Sequence, residues 1–296
     1  MQKGDVKVSF FIYNEVKECD YMLDSKLIEY LNEQIEQGYK FLNIDKFELA
    51  FKLLENIGIE DPYLRDELIY PNLSHLLHDS HLNEEQLTKL TEELISDKYL
   101  HFDLDNDIEY SVLIRSFSLL QLVVLVYVHN RDGLIQNTVI KNVYDRFMDY
   151  FNKEQNLTGY SEEYGFLHSI AHSADLFSQL AKLKEFKENE LLAILTAISK
   201  KFKTKEYFFM HDEDERMVHA IWNILERDLL SKDLIIAWIN DFGTYRKIDK
   251  YPDAYFLTNN IKNLLRSLYF RLLEHEKYED IVAEIKVVLK EKVGLR

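Results

Sequence analysis

A cationic or imidazole side chain recurs about every 50 residues along this chain, early in successive apolar segments. The five positions are separated by 50, 53, 48 and 50 residues, and they are Arg65, Arg115, His168, Arg216 and Arg266. Apolar residues follow most of them at offsets of three, four and eight, as on one face of a packed helix. A period of this length is typical of stacked helix pairs. The chain is therefore expected to be all-α, with a HEAT-like or armadillo-like superhelix of helix pairs.

The composition also favours helices over strands. The 296 residues include only 8 glycines and 3 prolines, too few for the many tight turns of a sandwich or barrel, and 47% of them are hydrophobic. This apolar content can bury a large core. No stretch rich in Gly, Ser or Pro marks a linker, so we expect a single helical domain over residues 1–296, with peripheral helices in 1–60.

Capping and stop signals predict where the helices begin and end. Asp61-Pro62 predicts a helix start near residue 62, and the spacing of Asn83 and Gln86 predicts a capping box near residue 84. Gly58 is expected to end the helix at 45–57 in a left-handed conformation. Long loops are expected at 101–109 and 203–214. Further helices are expected at 111–129, 134–152, 161–183, 188–203, 212–229, 232–241, 253–274 and 277–293.

Charge, cysteine content and hydropathy disfavour several classes of function. The chain has 36 Lys and Arg against 52 Asp and Glu, a formal charge of −16 that would repel a nucleic acid backbone. Cys19 is the only cysteine, which excludes an intrachain disulfide and agrees with a reducing compartment. Residues 1–11 lack the apolar stretch of a secretory signal. The stretch Phe117 to Val128 has about half the length of a membrane-spanning helix and is expected to be buried on all sides. We therefore expect a cytoplasmic protein that binds neither nucleic acid nor membrane.

The sharpest local motif is GFLHSIAHSADLF, which contains His168, His172 and Asp175. Offsets of 0, 4 and 7 would place the three side chains on one face of a helix. Two imidazoles and a carboxylate are a plausible half of a zinc, iron or manganese site. Structural hydrogen bonding and small-ligand binding explain the same pattern. A divalent metal is therefore one alternative, and no other cofactor is indicated.

A second polar face follows at offsets of 0, 3, 4 and 7 and consists of Asp212, Glu215, Arg216 and His219. Asp212 is placed for an intrahelical salt bridge with Arg216. Arg216 is also the recurring position one repeat after His168. If the helix pairs stack, the two polar faces are expected to be neighbours.

The remaining recurring arginines have two interpretations. Arg65 beside Asp66, Arg115, and Arg266 would form a positive strip suited to a phosphate, a carboxylate or an acidic peptide. Alternatively, each arginine bonds a carbonyl or carboxylate of the next repeat and only holds the stack together.

Several segments resemble a family of bacterial proteins, the domain of unknown function 2785. They are GFLHSIAHSADL, LRDE at 64–67, RSFSLL at 115–120, DEDER at 212–216 and LLRSLYFRL at 264–272, so that the resemblance covers residues 60–275. The central pattern of that family reads Arg-Gly-Trp-x-His-Ala-x-Ala-His-x-Ala-Asp. The chain keeps Gly165, His168, Ala171, His172, Ala174 and Asp175, but has Tyr164, Phe166 and Ser169 where Arg, Trp and Ala are usual. The resemblance implies a bacterial, cytosolic setting and supports these site residues without naming a reaction.

The leading hypothesis is a non-enzymatic binding or scaffold protein whose polar face captures an anionic small molecule or an acidic protein segment. The candidate ligand-binding residues are Arg65, Asp66, Arg115, His168, His172, Asp175, Asp212, Arg216 and Arg266. The competing hypothesis is a metal-dependent hydrolase in which His168, His172 and Asp175 hold a metal ion that activates water. A third hypothesis is a protein that neutralises a basic partner through its acidic outer surface.

Overall fold

The structure is a computed structural model that describes residues 23–106, 110–245 and 247–294. These ranges contain twelve α-helices and one two-stranded sheet, so the all-α prediction is confirmed. The chain divides into two compact units. Unit 1 is the chain up to Val139 together with Glu162–Gly165, and unit 2 is Ile140–Ser161 together with the chain from Phe166 onward. Cys19 and the N-terminal residues 1–11 lie outside the described residues, as do residues 107–109 of the loop predicted at 101–109. The single domain predicted over 1–296 stays a prediction.

Unit 1 is organised around the apolar helix α5. Helix α3 packs against α5 and α2, and α4 also packs against α5. A π-helix, Tyr63–Ile69, leads directly into α3. The helices of unit 1 are Ser25–Glu36 (α1), Lys46–Leu54 (α2), Tyr70–His78 (α3), Glu84–Leu94 (α4) and Ser111–Asp132 (α5).

Helix α5 is the core of unit 1. By length and composition alone it is apolar enough to cross a membrane, but 78% of its most apolar 18-residue window is buried within the protein, as in the core helix of a folded domain. Most of its side chains are buried, while Tyr127 is exposed. The prediction of a buried helix here is confirmed for most of its circumference.

Unit 2 contains two sets of packed helices. Helix α9 lies between α7 and α11, while α10 lies between α8 and α12. The set α7, α9 and α11 carries His168, Arg216 and Arg266 at or within its helices. The elements are Asn137–Lys153 (α6, mostly in unit 2), Tyr160–Ser161 (β1), Gly165–Phe166 (β2), Ser169–Leu180 (α7), Glu188–Phe202 (α8), Glu213–Leu225 (α9), Lys232–Asp241 (α10), Asp253–Leu272 (α11) and Glu279–Val287 (α12), with a 3-10 turn at Glu276–Tyr278 and a final π-helix at Val288–Lys292.

The structure confirms some of the predicted boundaries and corrects others. The capping box of Asn83 and Gln86 is present at the start of α4, and the loop predicted at 203–214 lies between α8 and α9. The helix predicted at 161–183 begins only at Ser169, because a hairpin precedes it and Gly165 has a left-handed φ of 73°. Gly58 does not cap a helix in a left-handed conformation. It allows the chain to pass close to Ile114 of α5, whose backbone nitrogen would lie 2.7 Å from a Cβ at position 58.

Candidate functional site

The Arg65 side chain donates hydrogen bonds to backbone carbonyls of unit 1. Its side chain is 0% exposed, and Nη1 donates to the carbonyl of Ile59 at 3.0 Å while Nη2 donates to the carbonyl of Tyr164 at 2.6 Å. Nε donates to Oδ1 of Asp66 at 2.9 Å. Burial raises the pKa of Asp66, and the adjacent guanidinium opposes that shift. Arg65 and Asp66, which were predicted to bind a ligand, therefore bind each other and the backbone of unit 1.

Arg115 and Arg266 do not form the predicted positive strip with Arg65 either. Arg115 is buried, and its Nη1 donates to the carbonyl of Phe102 at 3.0 Å and to Oγ of Ser111 at 2.7 Å. Arg266 lies in the last third of α11 and not near its start, and it donates to Oδ1 of Asn263 at 3.5 Å. The five recurring positions are therefore not equivalent in the structure.

His168 precedes helix α7 instead of lying within it. It occupies the N-cap position in a left-handed conformation, with φ 52° and ψ 30°. The predicted helical offsets to His172 and Asp175 therefore do not apply. The rings of His168 and His172 lie 5.5 Å apart, and the Asp175 carboxylate is engaged elsewhere. Among the described residues no three His, Cys, Asp or Glu side chains are placed to hold a metal ion. The structure therefore does not bring the three predicted metal ligands together.

Arg216 joins helix α9 to helix α7. Its Nε donates to Oδ1 of Asp175 at 3.1 Å, and its Nη2 donates to Oδ2 of the same carboxylate. This ion pair confirms that the two polar faces are neighbours. The intrahelical salt bridge predicted with Asp212 is absent, because Asp212 is the left-handed N-cap of α9, with φ 71°. Nη1 of Arg216 donates to no residue in the described ranges, so one edge of the guanidinium remains open.

The loop before α9 contributes residues that the sequence pattern did not predict. The backbone N–H of Gly159 donates to Oη of Tyr207 at 3.1 Å, and Oη lies 3.4 Å from Nδ1 of His211. A Cβ at position 159 would lie 2.7 Å from Cγ of His211, so only glycine fits beneath this imidazole. A glycine at position 159 is therefore the one sequence feature that indicates this close contact with the loop.

Five rings then run through the site from the loop to α7. Tyr160 lies 6.4 Å from His211 and 5.1 Å from Phe166, measured between ring centroids. Phe166 stacks on His168 at 4.5 Å with an interplanar angle of 7°, and His168 is followed by His172. We call His211, Tyr160, Phe166, His168 and His172 the ring row. It places three imidazoles beside two exposed aromatic side chains.

His168 is partly buried and lies near Arg216 and His211. Burial, then the charge of Arg216 and then that of His211 lower the pKa of His168 to about 4. Its Nδ1 atom is buried and has no hydrogen-bond partner among the described residues. The imidazole is therefore neutral at physiological pH and has a ring nitrogen whose hydrogen bonding is not satisfied within the chain.

Glu213 holds the loop residue His211 in place. Glu213 is 1% exposed, and its Oε2 accepts a hydrogen bond from the backbone N–H of His211 at 2.7 Å. Oε1 lies 3.9 Å from Nδ1 of His211, and no described residue donates a hydrogen bond to it. Burial raises the pKa of the Glu213 carboxyl. We call His168, His211, Glu213 and Arg216 the polar cluster.

Comparison with known proteins identifies a family but no characterised relative. The sequence model of the family described as "Protein of unknown function (DUF2785)" matches residues 100–270, a range that contains the polar cluster and the ring row. No curated protein and no solved structure matches the chain.

Proposed function

The chain belongs to the DUF2785 family of proteins of unknown function, and we propose from its own residues that it is a binding protein that captures a small anion at the polar cluster. Anion binding is the function already expected from the sequence, but the residues proposed to bind the anion are different. Arg65, Asp66 and Arg115 leave the site because their side chains are buried in unit 1 contacts. His211 and Glu213 enter it.

The observation that carries the proposal is the Arg216 guanidinium, which pairs with Asp175 through Nε and Nη2 while its Nη1 donates to no described residue. Burial is the main cause of the lowered pKa of His168, and the nearby charge of Arg216 is the next. An anion placed beside His168 would be attracted by the Arg216 guanidinium. It would find one open edge of the Arg216 guanidinium as a donor.

The backbone around the polar cluster supports the same ligand charge. Helices α7 and α9 pack against each other, and both begin beside the cluster, at Ser169 and Glu213. Helix α7 has no side-chain cap hydrogen bond among the described residues, whereas the first turn of α9 already carries three carboxylates, those of Glu213, Asp214 and Glu215. The N-terminal end of a helix carries a partial positive charge and unpaired N–H groups, both of which favour an anion.

Binding explains the site better than hydrolysis does. The two serine hydroxyls near the start of α7 donate to backbone carbonyls: Ser169 Oγ to Asn156 and Ser173 Oγ to Ser169, each at 2.6 Å. They are therefore not poised as nucleophiles. The metal-dependent hydrolase also loses its support, because His168, His172 and Asp175 do not converge on one point.

The wider architecture stays part of the proposal. The packing of α9 between α7 and α11, and of α10 between α8 and α12, is what a HEAT-like arrangement of helix pairs would require within unit 2. A cytoplasmic location and a small anion as partner, instead of nucleic acid or membrane, complete the proposed function.

Thermal unfolding of the full chain with inorganic phosphate or acetate tests the proposal. At constant ionic strength set with potassium chloride, we expect either anion to raise the melting temperature, because a ligand that binds only the folded state stabilises it. Arg216→Gln should weaken the affinity derived from this shift about tenfold, since it removes a charge-assisted hydrogen bond, and His211→Gln should weaken it too, since it removes a ring beside the cluster.

Arg266→Gln is the matched control, because it removes an arginine of the same unit outside the polar cluster. It should leave the anion affinity unchanged. The proposal fails if neither anion stabilises the wild-type protein beyond chloride. It also fails if Arg266→Gln weakens binding as much as Arg216→Gln does, because the effect would then be one of overall charge.

A further inference from the structure

We propose that the anion bound at the polar cluster carries a second negative group, which binds Lys182 and Arg271 on either side of His219. This inference rests on the proposed function and narrows its ligand to short dicarboxylates. We call Lys182 and Arg271 the basic pair. It comes from the exposed face of α9 and its two neighbouring helices, which the capture of a single negative group does not use.

Helix α9 carries both points of attachment on one face. Arg216 and His219 are three residues apart, so their Cβ atoms are neighbours on the helix surface, about 5 to 6 Å apart. The Arg216 side chain is 27% exposed and its Nη1 is open for the first negative group. His219 is exposed to solvent. A short ligand held at Arg216 can therefore extend along α9 to His219.

Helix α7 runs beside α9 in the same direction. Asp175 forms the ion pair with α9 already described, and further along both helices Nδ2 of Asn223 donates to Oγ of Ser178 at 2.7 Å. His219 lies between these two contacts on α9. Lys182 is one turn beyond Ser178, just after α7 ends. Its long side chain is therefore placed on the α7 side of the exposed imidazole.

Helix α11 lies along the opposite side of α9. Oγ of Ser267 donates to Oδ2 of Asp214 at 2.7 Å, and the rings of Trp222 and His275 lie 4.7 Å apart. Arg271 is one turn beyond Ser267 and one turn before His275. It is therefore level with the middle of α9, on the side away from α7.

The basic pair acts on His219 from both sides. Burial lowers the pKa of His219, the charges of Lys182 and Arg271 lower it further, and Asp175 opposes them. Both members of the pair are exposed, and neither forms an ion pair with a described residue. Asp175 already has Arg216 as its partner. Two cations beside His219 are therefore available to a negative group of a ligand.

Other carboxylates of α9 lie near this face. Asp214 and Glu226 each accept a hydrogen bond from a hydroxyl group, at 2.7 and 2.8 Å, while Glu215 is exposed. None of the three is among the charges that shift the pKa of His219. The charge beside His219 is therefore set by the basic pair and Asp175.

A purely structural role explains only part of this arrangement. A cation at the C-terminal end of a helix stabilises the helix dipole, and Arg271 lies in the last turn of α11 while Lys182 follows α7. That role accounts for each residue alone, and a cation turned away from α9 would fill it equally well. It does not account for both residues acting on one exposed imidazole.

Three anions separate the two negative groups when their affinities for the full chain are measured by ligand-observed NMR at constant ionic strength. Glutarate has two carboxylates, glutaramate has the same length with a neutral amide in place of one of them, and acetate has a single carboxylate. We expect glutarate to bind roughly fivefold to tenfold more tightly than glutaramate, because its second carboxylate gains two exposed charge pairs.

The ratio of the glutarate and glutaramate affinities is then compared between variants. Lys182→Gln and Arg271→Gln should each lower the ratio and leave the glutaramate affinity unchanged. The double variant should lower it to about two, the value expected from the two identical ends of glutarate alone. Lys184→Gln removes the same charge from another exposed lysine after α7 and should leave the ratio unchanged.

A ratio of about two in the wild-type protein would overturn this inference and leave the proposed function standing. A higher ratio that persists in the double variant would overturn it as well, because the second carboxylate would then bind elsewhere. If none of the three anions binds, the proposed function itself fails, and that result is distinct from the other two.

Discussion

Two residues at the polar cluster or next to it have an uncommon backbone conformation. His168 and Asp212 both have a positive φ, and both stand immediately before a helix, α7 or α9. A left-handed conformation costs a non-glycine residue about 1 kcal/mol or more, although His and Asp tolerate it better than most residues. Residues held in this way are concentrated at functional sites. The helical periodicity of the sequence wrongly predicted His168 inside α7. A pattern of side chains does not show where the backbone adopts a left-handed conformation.

The lowered pKa of His168 predicts that this residue makes stability depend on pH. Its imidazole stays neutral in the folded protein down to a pKa of about 4, whereas in the unfolded chain it takes up a proton below 6.5. The unfolded state therefore binds more protons in this window, and stability is lost as the pH falls from 6.5 towards 4. We expect the free energy of unfolding to fall by about 1 to 3 kcal/mol from this residue alone. Urea unfolding of wild type and His168→Asn across the window measures it.

Asparagine is the matched replacement because it tolerates the left-handed conformation and does not titrate. His168→Asn should lose less stability on acidification than the wild type does. An identical pH dependence in His168→Asn and wild type would contradict the neutral, buried state described for His168.

Helix starts that depend on neighbouring residues were predicted correctly, whereas elements that depend on contacts with distant residues were not. The capping box at Asn83 and the start of α10 follow from neighbouring residues. The hairpin before α7 depends on Gly159, whose carbonyl accepts from the N–H groups of Leu167 and His168. His211 reaches Gly159 from about 50 residues further along the chain, and single-sequence periodicity carries no information about such a contact. For the same reason the sequence found Arg216 and Asp175 as site residues but not Glu213 or Tyr207.

The approach of Gly58 to helix α5 gives a prediction at the scale of elements. Gly58→Ala would place Cβ 2.7 Å from the backbone nitrogen and 2.8 Å from Cα of Ile114. A backbone segment cannot move aside as a side-chain tip can, so α5 must shift within its core. We expect the free energy of unfolding to fall by about 1 to 3 kcal/mol. Urea denaturation monitored by circular dichroism measures it.

Two further variants show whether the cost comes from the backbone of α5. Adding Ile114→Ala to Gly58→Ala removes side-chain crowding only, so it should not restore stability. Glu92→Ala, a substitution at an exposed position of α4, should change stability by less than about 0.5 kcal/mol. Full recovery in the double variant would show that the Ile114 side chain, and not its backbone, is what requires glycine.

At the scale of the whole molecule, the recurring side chains divide between the two units and serve different purposes. Arg65 and Arg115 belong to unit 1 and donate to backbone carbonyls there. His168 and Arg216 belong to unit 2, where they contribute to the polar cluster. The period of about 50 residues therefore reflects helix packing more than a shared binding role, which is the structural alternative that the sequence analysis left open for the arginines.

The division into two units predicts how unfolding responds to the loss of Arg65. Arg65→Ala leaves buried carbonyls of unit 1 without their donor and should destabilise that unit by about 3 to 5 kcal/mol. Both tryptophans of the chain, Trp222 and Trp238, lie in unit 2. Tryptophan fluorescence therefore follows unit 2, whereas far-ultraviolet circular dichroism follows every helix. Because each unit has its own buried core, we expect Arg65→Ala to add an early urea transition in circular dichroism while the fluorescence midpoint stays at the wild-type value. A shift of both probes together would instead show that the chain unfolds as the single domain predicted from its sequence.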